Sequence, residues 1–142
     1  MSAYKKYKCN FVDKETLIGA LEALDLPVED YETPVSLEGF HGETRPQKAN
    51  IIVRRKHLNK TFTGVSNDLG FIFDKSSGQY IMECSEYDTK MLMPQRIKQA
   101  YSLVGIQKLA TEEGVEIDES TEYDMLRQRE QPEVYMTLSK MM

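Results

Sequence analysis

The strongest local pattern in this sequence is a β-hairpin between residues 69 and 84. Two runs with alternating apolar residues, 69–75 and 79–84, flank the segment Ser-Ser-Gly, whose composition favours a tight turn. Side chains alternate between the two faces of a strand, so Tyr80, Met82 and Cys84 should share one face. The hairpin therefore predicts an antiparallel sheet that needs a covering layer on its apolar face.

A change in the period of the apolar residues predicts two helices that can supply this layer. After an alternating strand over residues 3–12, Asp13 is placed to cap a helix that Pro27 terminates. A longer helix is predicted over residues 93–113, with Pro94 in its first turn and Gly114 at its end. The apolar stripes consist of Leu17, Ile18, Leu21 and Leu24 in the first helix and of Ile97, Ala100, Tyr101 and Val104 in the second.

The segments between these elements carry weaker signals. Residues 27–34 are acidic and bounded by prolines, which favours an exposed connection. A short strand is predicted from Val35, followed by a turn at Gly39 and Gly42 and by a second strand over residues 49–56. The other predicted segments are a mobile loop over residues 57–68 and two further strands over residues 115–117 and 134–138.

The order of these elements predicts an α+β protein. It consists of a mostly antiparallel sheet of about seven strands with two helices on one face. The order strand, helix, strand, strand occurs twice, which indicates a repeated unit. A length of 142 residues falls within the size of one domain, so residues 1–142 are expected to form a single domain.

Two features of composition bear on the compartment. No apolar run approaches the ~18 residues that cross a bilayer, and the lysines near the N-terminus precede no apolar signal region. We therefore expect a cytoplasmic protein that has no contact with a membrane. Cys9 and Cys84 lie far apart and have no second pair, so each is expected to be a small buried apolar residue.

The charge is unevenly distributed along the chain. The net charge is -5, yet residues 42–60 carry six cations against one acid. Residues 111–134 carry nine acids against two arginines. A globally negative protein repels phosphate, which argues against general coating of duplex DNA, although a basic patch still acts within about 8 Å.

Several segments resemble a known family. They are LEGFHGET (37–44), ANIIVR (49–54), DLGF (68–71), YIMEC (80–84), and RIKQAYSL (96–103) with GV at 114–115. Together they resemble the small cyanobacterial and plastid-encoded family called hypothetical chloroplast open reading frame thirty-five, which also occurs in other bacteria and in phages. The chain departs from the family pattern at Ser102, where the family usually has a histidine, and at Glu38, close to the paired glycines. The resemblance implies the fold and the absence of a secretory or membrane role, but no mechanism.

No residue pattern defines a catalytic or cofactor site. His41 and Glu43 form a His-x-Glu pair, but the third and fourth ligands of a metal site are missing. A nucleophile needs a base and an orienting group, and the sequence identifies neither for Cys9, Cys84 or any serine. We therefore predict that the protein is not an enzyme and that it holds neither a metal nor a cofactor.

The candidate binding surface is a basic face that follows the glycine turn, with Phe40 and His41 of the turn beside it. The predicted basic face consists of Arg45, Lys48, Arg54, Arg55, Lys56 and Lys60. Such cations either protect a strand edge or line a groove for single-stranded nucleic acid, where aromatic rings stack on bases. The pair Gly39 and Gly42 matches the Gly-x-x-Gly of some RNA-binding domains, but there it lies between helices.

Protein binding is the prediction that requires no missing residue. A basic strand at one end and an acidic segment at the other would orient a protein partner or favour self-association. We therefore predict a non-enzymatic adaptor or regulatory protein that acts through a protein partner. The alternative is a small nucleic-acid-binding protein that uses the basic strand and loop 45–60.

Overall fold

The computed structural model describes residues 3–88 and 93–114. These residues form one antiparallel sheet of five strands together with three helices. In chain order the elements are β1 (Tyr4–Phe11), α1 (Lys14–Ala23), β2 (Glu29–Glu38), β3 (Thr44–Val53), α2 (Arg55–Thr61), β4 (Leu69–Asp74), β5 (Gln79–Ser85) and α3 (Met93–Glu113). The strand order across the sheet is β1-β5-β4-β3-β2, so β1 and β2 are the edge strands among the described residues.

The larger apolar core lies between one face of the sheet and the helices. Alternating residues of the strands point into it, as predicted for the hairpin and for β3. The sheet residues of this core include Phe11, Ile51, Val53, Phe71, Met82 and Cys84, and the helix residues include Leu17, Leu21, Leu58, Met93 and Ile97. The prediction that the two longer helices cover one face of an antiparallel sheet is therefore confirmed.

The junction between β1 and α1 is held by hydrogen bonds to residues of α1 and of α3. Asp13 caps α1 as predicted, because its Oδ2 accepts hydrogen bonds from the Thr16 backbone at 3.0 Å and from Thr16 Oγ1 at 2.5 Å. The hydroxyl of Tyr101 in α3 accepts from the backbone N–H groups of Val12 and Asp13, each at 3.1 Å. The Tyr101 ring also packs against Phe11 with a centroid distance of 4.9 Å. Tyr101 thus connects α3 to the start of α1.

A glycine lies at the close approach of α1 and α3, but it is Gly19 and not the mid-helix Gly105. A methyl group at Gly19 would lie 3.3 Å from Val104 Cγ1. At Gly105 the nearest atom would be Thr16 Cγ2 at 3.9 Å, which is an ordinary contact distance. Close packing therefore does not account for the glycine at position 105, which has room for alanine.

The face of the sheet that points away from the helices is covered by part of the hairpin that β2 and β3 form. β3 pairs with β4 only through residues 51–53, so the preceding segment is free to leave the plane of the sheet. The bend is at Asn50, whose Nδ2 donates to Tyr31 O at 3.2 Å and whose Oδ1 accepts from Phe73 N at 3.0 Å. The segment of β3 before the bend, residues 44–49, is called the arm below.

Gly70 lies directly beneath the arm. A methyl group at Gly70 would lie 2.6 Å from Ala49 Cβ and 2.9 Å from Leu37 Cδ2, distances that real side chains do not tolerate. Farther along the arm, the guanidinium of Arg45 lies 5.3 Å from the ring centroid of Tyr4 on β1. The arm therefore crosses the sheet from β4 to β1 and encloses a small second core. This core contains Leu37, Ala49 and Ile52, with Tyr4, Tyr31 and Val35 packed against it.

Three predicted segments differ from the structure. Residues 29–34, predicted as a connection, belong to β2, because an edge strand tolerates acids and proline on its unpaired side. The strand predicted over residues 49–56 begins at Thr44 and ends at Val53. Residues 57–61 of the predicted mobile loop lie in α2, a short helix anchored by the fully buried Leu58. Its single buried residue leaves no apolar period to detect.

The element count also differs. Five strands and three helices are present in the described residues, whereas the sequence predicted about seven strands and two helices. The strands predicted at 115–117 and 134–138, and with them the second half of the repeated unit, lie outside the described residues. Within residues 3–88 and 93–114, no helix is long and apolar enough to cross a membrane.

Candidate functional site

The β2–β3 turn projects from the end of the sheet where the predicted site residues gather. Gly39 N donates to Glu43 O at 2.9 Å and Gly42 N donates to Gly39 O at 3.0 Å, which closes a tight turn. Gly42 has a φ of +77°, a conformation that favours glycine. Phe40 and His41 lie between these glycines and are both exposed. The predicted turn at Gly39 and Gly42 is present, and of the two glycines only Gly42 has a positive φ.

Beneath the turn, Arg54 lies in an ion-pair network and not on an open basic face. Its Nε and Nη2 atoms donate to the two carboxylate oxygens of Glu29, each at 2.8 Å. Its Nη1 atom donates to Asp68 Oδ2 at 2.9 Å and lies 3.4 Å from Glu38 Oε2. Three carboxylates therefore surround one guanidinium whose side chain is only 18% exposed.

Asp68 links this network to the surrounding backbone. Its carboxylate accepts hydrogen bonds from the N–H groups of Glu38 and Arg55, each at 2.9 Å, and its side chain is only 5% exposed. Its backbone N–H donates to Glu38 O at 3.0 Å, and its carbonyl accepts from the Tyr4 hydroxyl at 2.7 Å. Asp68 thus joins the end of β2, the start of α2 and the edge strand β1 at one point.

The electrostatics of the network follow from these contacts. Hydrogen bonding to Arg54, assisted by the Tyr31 hydroxyl, lowers the pKa of Glu29 to about 2. The same bond to Glu29, together with Asp68, raises the pKa of Arg54 above its ordinary value. Both groups are therefore charged across the physiological range.

Two clefts flank the turn. The first, called the aromatic cleft, has a volume of about 330 Å³. It is lined by Phe40, His41, Glu43, Arg45, Gly64, Ser66, Asn67 and Tyr87. The second, called the charged cleft, has a volume of about 390 Å³. It is lined by Glu29, Glu38, Gly39, Gly42, Arg54, Arg55, Lys56, His57 and Asp68.

The rim of the aromatic cleft carries two large exposed rings. Phe40 is 54% exposed and Tyr87 is 53% exposed. The Phe40 ring is held from two sides: its centroid is 5.0 Å from that of His41, at an interplanar angle of 85°, and 5.2 Å from the guanidinium of Arg55. Exposed aromatic rings that are held in place by neighbouring groups are typical of binding surfaces.

A buried carboxylate, that of Asp88, holds two residues that line the aromatic cleft, Ser66 and Asn67. Asp88 Oδ1 accepts from Ser66 N at 2.7 Å and from Ser66 Oγ at 2.9 Å, and its Oδ2 accepts from Asn67 N at 3.2 Å. Burial raises the pKa of Asp88, although these hydrogen bonds oppose the rise. Two further lining residues are joined by a hydrogen bond, because Glu43 Oε2 accepts from His41 N at 3.0 Å.

The structure does not bring the predicted basic residues together on one face. Arg54 lies in the ion-pair network, and Arg45 lies on the inward side of the arm over Tyr4. Arg55, Lys56 and Lys60 belong to α2 and not to an outward-facing strand, and Lys48 is exposed on the arm. Arg55 contacts Phe40, so the predicted turn residues and part of the predicted basic set do meet.

The charge in both clefts is balanced. The charged cleft sets the three carboxylates of the network against Arg54, Arg55 and Lys56, and the aromatic cleft sets Glu43 against Arg45. Neither cleft is a continuous positive groove, which is the usual means of binding a phosphate backbone.

Within residues 3–88 and 93–114, no cluster of three or more His, Cys, Asp or Glu side chains is arranged to hold a metal ion. Cys84 is buried, and burial raises the pKa of its thiol, which keeps it in the unreactive protonated form. Burial also raises the pKa of the half-buried Cys9.

Sequence reasoning missed several residues that build this region. Asp68 and Glu29 lie far apart in the chain, and each is one of many acids in a polar segment. Tyr87 follows β5 without any periodic pattern. Their roles arise only when β2, α2 and the end of β5 meet, so no local signal marks them.

Comparisons of the chain with protein-family models, with curated proteins and with solved structures found no match. The resemblance to the family of hypothetical chloroplast open reading frame thirty-five stays a prediction based on the segments quoted above.

Proposed function

We propose that the protein is a non-enzymatic adaptor or regulator that binds a protein partner in the aromatic cleft. The observation that carries this proposal is the pair of exposed rings, Phe40 and Tyr87, on the rim of a concave surface of about 330 Å³. Aromatic residues beside an arginine are the residues that most often dominate the free energy of protein association.

The surroundings of the cleft indicate the chemistry of the partner. Its aromatic rim accommodates an apolar or aromatic side chain, and the polar side chains among its lining residues suit the backbone of a peptide. Next to Phe40, α2 presents Arg55, Lys56 and Lys60 on its surface. The best-fitting partner is therefore a protein segment that places an apolar anchor next to acidic residues.

The test is selection from a displayed library of peptides against the purified chain. We expect enrichment of peptides that combine an aromatic or aliphatic residue with Asp or Glu. Phe40→Ala and Tyr87→Ala should each weaken their binding at least ~30-fold, the scale of an interface hot spot. Phe73→Ala is the matched control, since Phe73 is 41% exposed but lies at the opposite end of β4. Equal binding by all three variants, or no enriched peptide, would contradict the proposal.

Single-stranded nucleic acid is the second candidate, and the contact between Arg55 and Phe40 favours it. An exposed ring beside a guanidinium is a platform on which a base can stack. The balanced charge of both clefts favours a protein partner over a nucleic acid. A gel shift with single strands at about 50 mM salt decides between them: binding that Lys56→Ala and Lys60→Ala weaken would replace the protein partner with a nucleic acid.

A further inference from the structure

Two hydrogen-bond acceptors are buried without a partner on the second face of the sheet. Glu83 on β5 is only 4% exposed, and its Oε2 accepts no hydrogen bond. Gln47 in the arm likewise has a buried Oε1 without a donor. A buried acceptor that loses water and gains no partner costs about 1 to 3 kcal/mol, so two such atoms call for an explanation.

The path of the arm places these two residues on facing surfaces. Ala49 lies over Gly70, and Gly70 is the direct neighbour of Glu83 in the sheet. Arg45 lies over Tyr4, which pairs with Ser85 on the same strand as Glu83. Between Ala49 and Arg45, the alternation of a strand turns Gln47 inward, which agrees with the burial of its Oε1 atom. The arm therefore carries Gln47 across β5 in the region of Glu83.

Two acceptors can bond each other only if one of them carries a proton. A carboxylic acid donates one hydrogen bond, whereas a carboxylate donates none. We propose that Glu83 in its acid form donates Oε2–H to Gln47 Oε1, so that this bond latches the arm onto the sheet. When Glu83 loses its proton to water at higher pH, the bond is lost and the arm is released from β5. This latch is independent of the proposed partner.

The charged groups around Glu83 determine the direction of the effect. Lys6 on β1 lies 3.7 Å from Glu83 Oε1 and favours the carboxylate, but its side chain is 71% exposed. Lys8 lies on the same face of β1, Arg45 belongs to the arm, and Asp68 on the neighbouring segment is paired with Arg54. Burial is the larger influence and raises the pKa of Glu83 above 4.5.

The sign of the pH dependence follows from this rise. Glu83 binds its proton more tightly in the folded chain than in the unfolded chain. Its contribution to stability is therefore complete below the ordinary carboxyl pKa and is lost as the pH rises through the raised value. The bond between Glu83 and Gln47 should therefore break as the pH rises through the raised pKa of Glu83.

The experiment follows the side-chain carboxyl of Glu83 by carbon NMR while hydrogen exchange measures protection of the arm amides, from about pH 4 to pH 9. We expect the Glu83 midpoint above 4.5, a decline in protection of up to about tenfold per pH unit between 4.5 and that midpoint, and constant protection at higher pH. A midpoint at or below the ordinary value, or constant protection over the whole range, would overturn the latch.

Two variants separate the latch from general unfolding. Glu83→Gln places a permanent donor opposite Gln47, so protection of the arm should no longer depend on pH. Gln47→Met removes the acceptor and should lower the Glu83 midpoint. Glu86→Gln, an exposed position at the end of β5, is the control and should retain the wild-type decline. A pH-dependent decline of unchanged size in Glu83→Gln would refute the proposal.

Discussion

Arg54 shows how the surroundings of one residue change the meaning of a sequence pattern. In the sequence it is one of three consecutive cations, and all three were predicted to form a basic face. In the structure its guanidinium contacts Glu29, Glu38 and Asp68, while its neighbour Lys56 is exposed. The two residues therefore have different roles although their side chains carry the same charge.

This difference predicts opposite outcomes for matched substitutions. Arg54→Met is expected to lower the free energy of unfolding by about 3 kcal/mol, because Asp68 would remain buried without its counter-charge. Lys56→Met should change it by less than about 0.5 kcal/mol. Denaturation with urea measures both values. Similar stabilities for the two variants would show that the Arg54 network contributes little.

At the scale of elements, the arm is the feature that organises the candidate site. It bends at Asn50, crosses the sheet above Gly70 and ends at the turn that carries Phe40. The arm stays paired with β2 but not with β4, so it needs a hydrogen-bond partner where the pairing with β4 stops and space beneath it. Asn50 supplies hydrogen bonds to both neighbouring strands, and Gly70 supplies the space.

Gly70→Ala should therefore destabilise the protein by about 1 to 3 kcal/mol, the usual cost of overpacking. Adding Ala49→Gly should recover part of the loss, since it removes the atom 2.6 Å from the new methyl group. Gly105→Ala in α3 is the control: with 3.9 Å to its nearest neighbour, it should stabilise the helix by up to about 1 kcal/mol. Equal effects at Gly70 and Gly105 would contradict the arm geometry.

At the scale of the whole molecule, two carboxyl groups limit stability from opposite sides of the pH scale. Glu29 has a lowered pKa because of Arg54, and Glu83 has a raised pKa because of burial. Stability from Glu29 is present above the unfolded value of 4.5 and is lost as the pH falls toward about 2. The contribution of Glu83 to stability is lost as the pH rises through its raised pKa.

Glu29→Gln is therefore expected to reduce the loss of stability between about pH 4.5 and pH 2. The measurement is the urea midpoint of wild type and variant at a series of acidic pH values. Glu22→Gln, an exposed position on α1, is the control for removing one carboxyl group. If the urea midpoint falls equally steeply with decreasing pH in Glu29→Gln and in wild type, the Glu29–Arg54 bond does not determine stability in acid.

Several elements could be predicted because their signals are local. The cap at Asp13, the apolar stripes of α1 and α3, the end of α3 at Gly114 and the hairpin turn at Gly78 all depend on residues within a few positions of one another. Residues 29–34 of β2 and helix α2 were not predicted, since an edge strand and a helix with one buried residue have almost no apolar period.

The candidate site was predicted only in part, for the same reason. Phe40, His41 and Arg55 do meet at one surface, but the sequence also assigned to it Arg54 and Arg45, which the fold turns inward. The acids that neutralise Arg54 come from β2 and from the segment before β4, more than ten positions away in the chain. The sequence shows which charged residues could form ion pairs, and the fold determines which of them come close enough to do so.

The sequence by itself determined the antiparallel sheet, its helical cover and the glycine turn, because period, caps and turn residues act over short distances. Only the tertiary structure decided that the arm of β3 lies over the sheet, that Arg54 is enclosed by carboxylates and that Tyr87 and Phe40 line the same cleft. These features depend on contacts between distant segments, whose free energy is set by packing and burial and not by any residue's local preference.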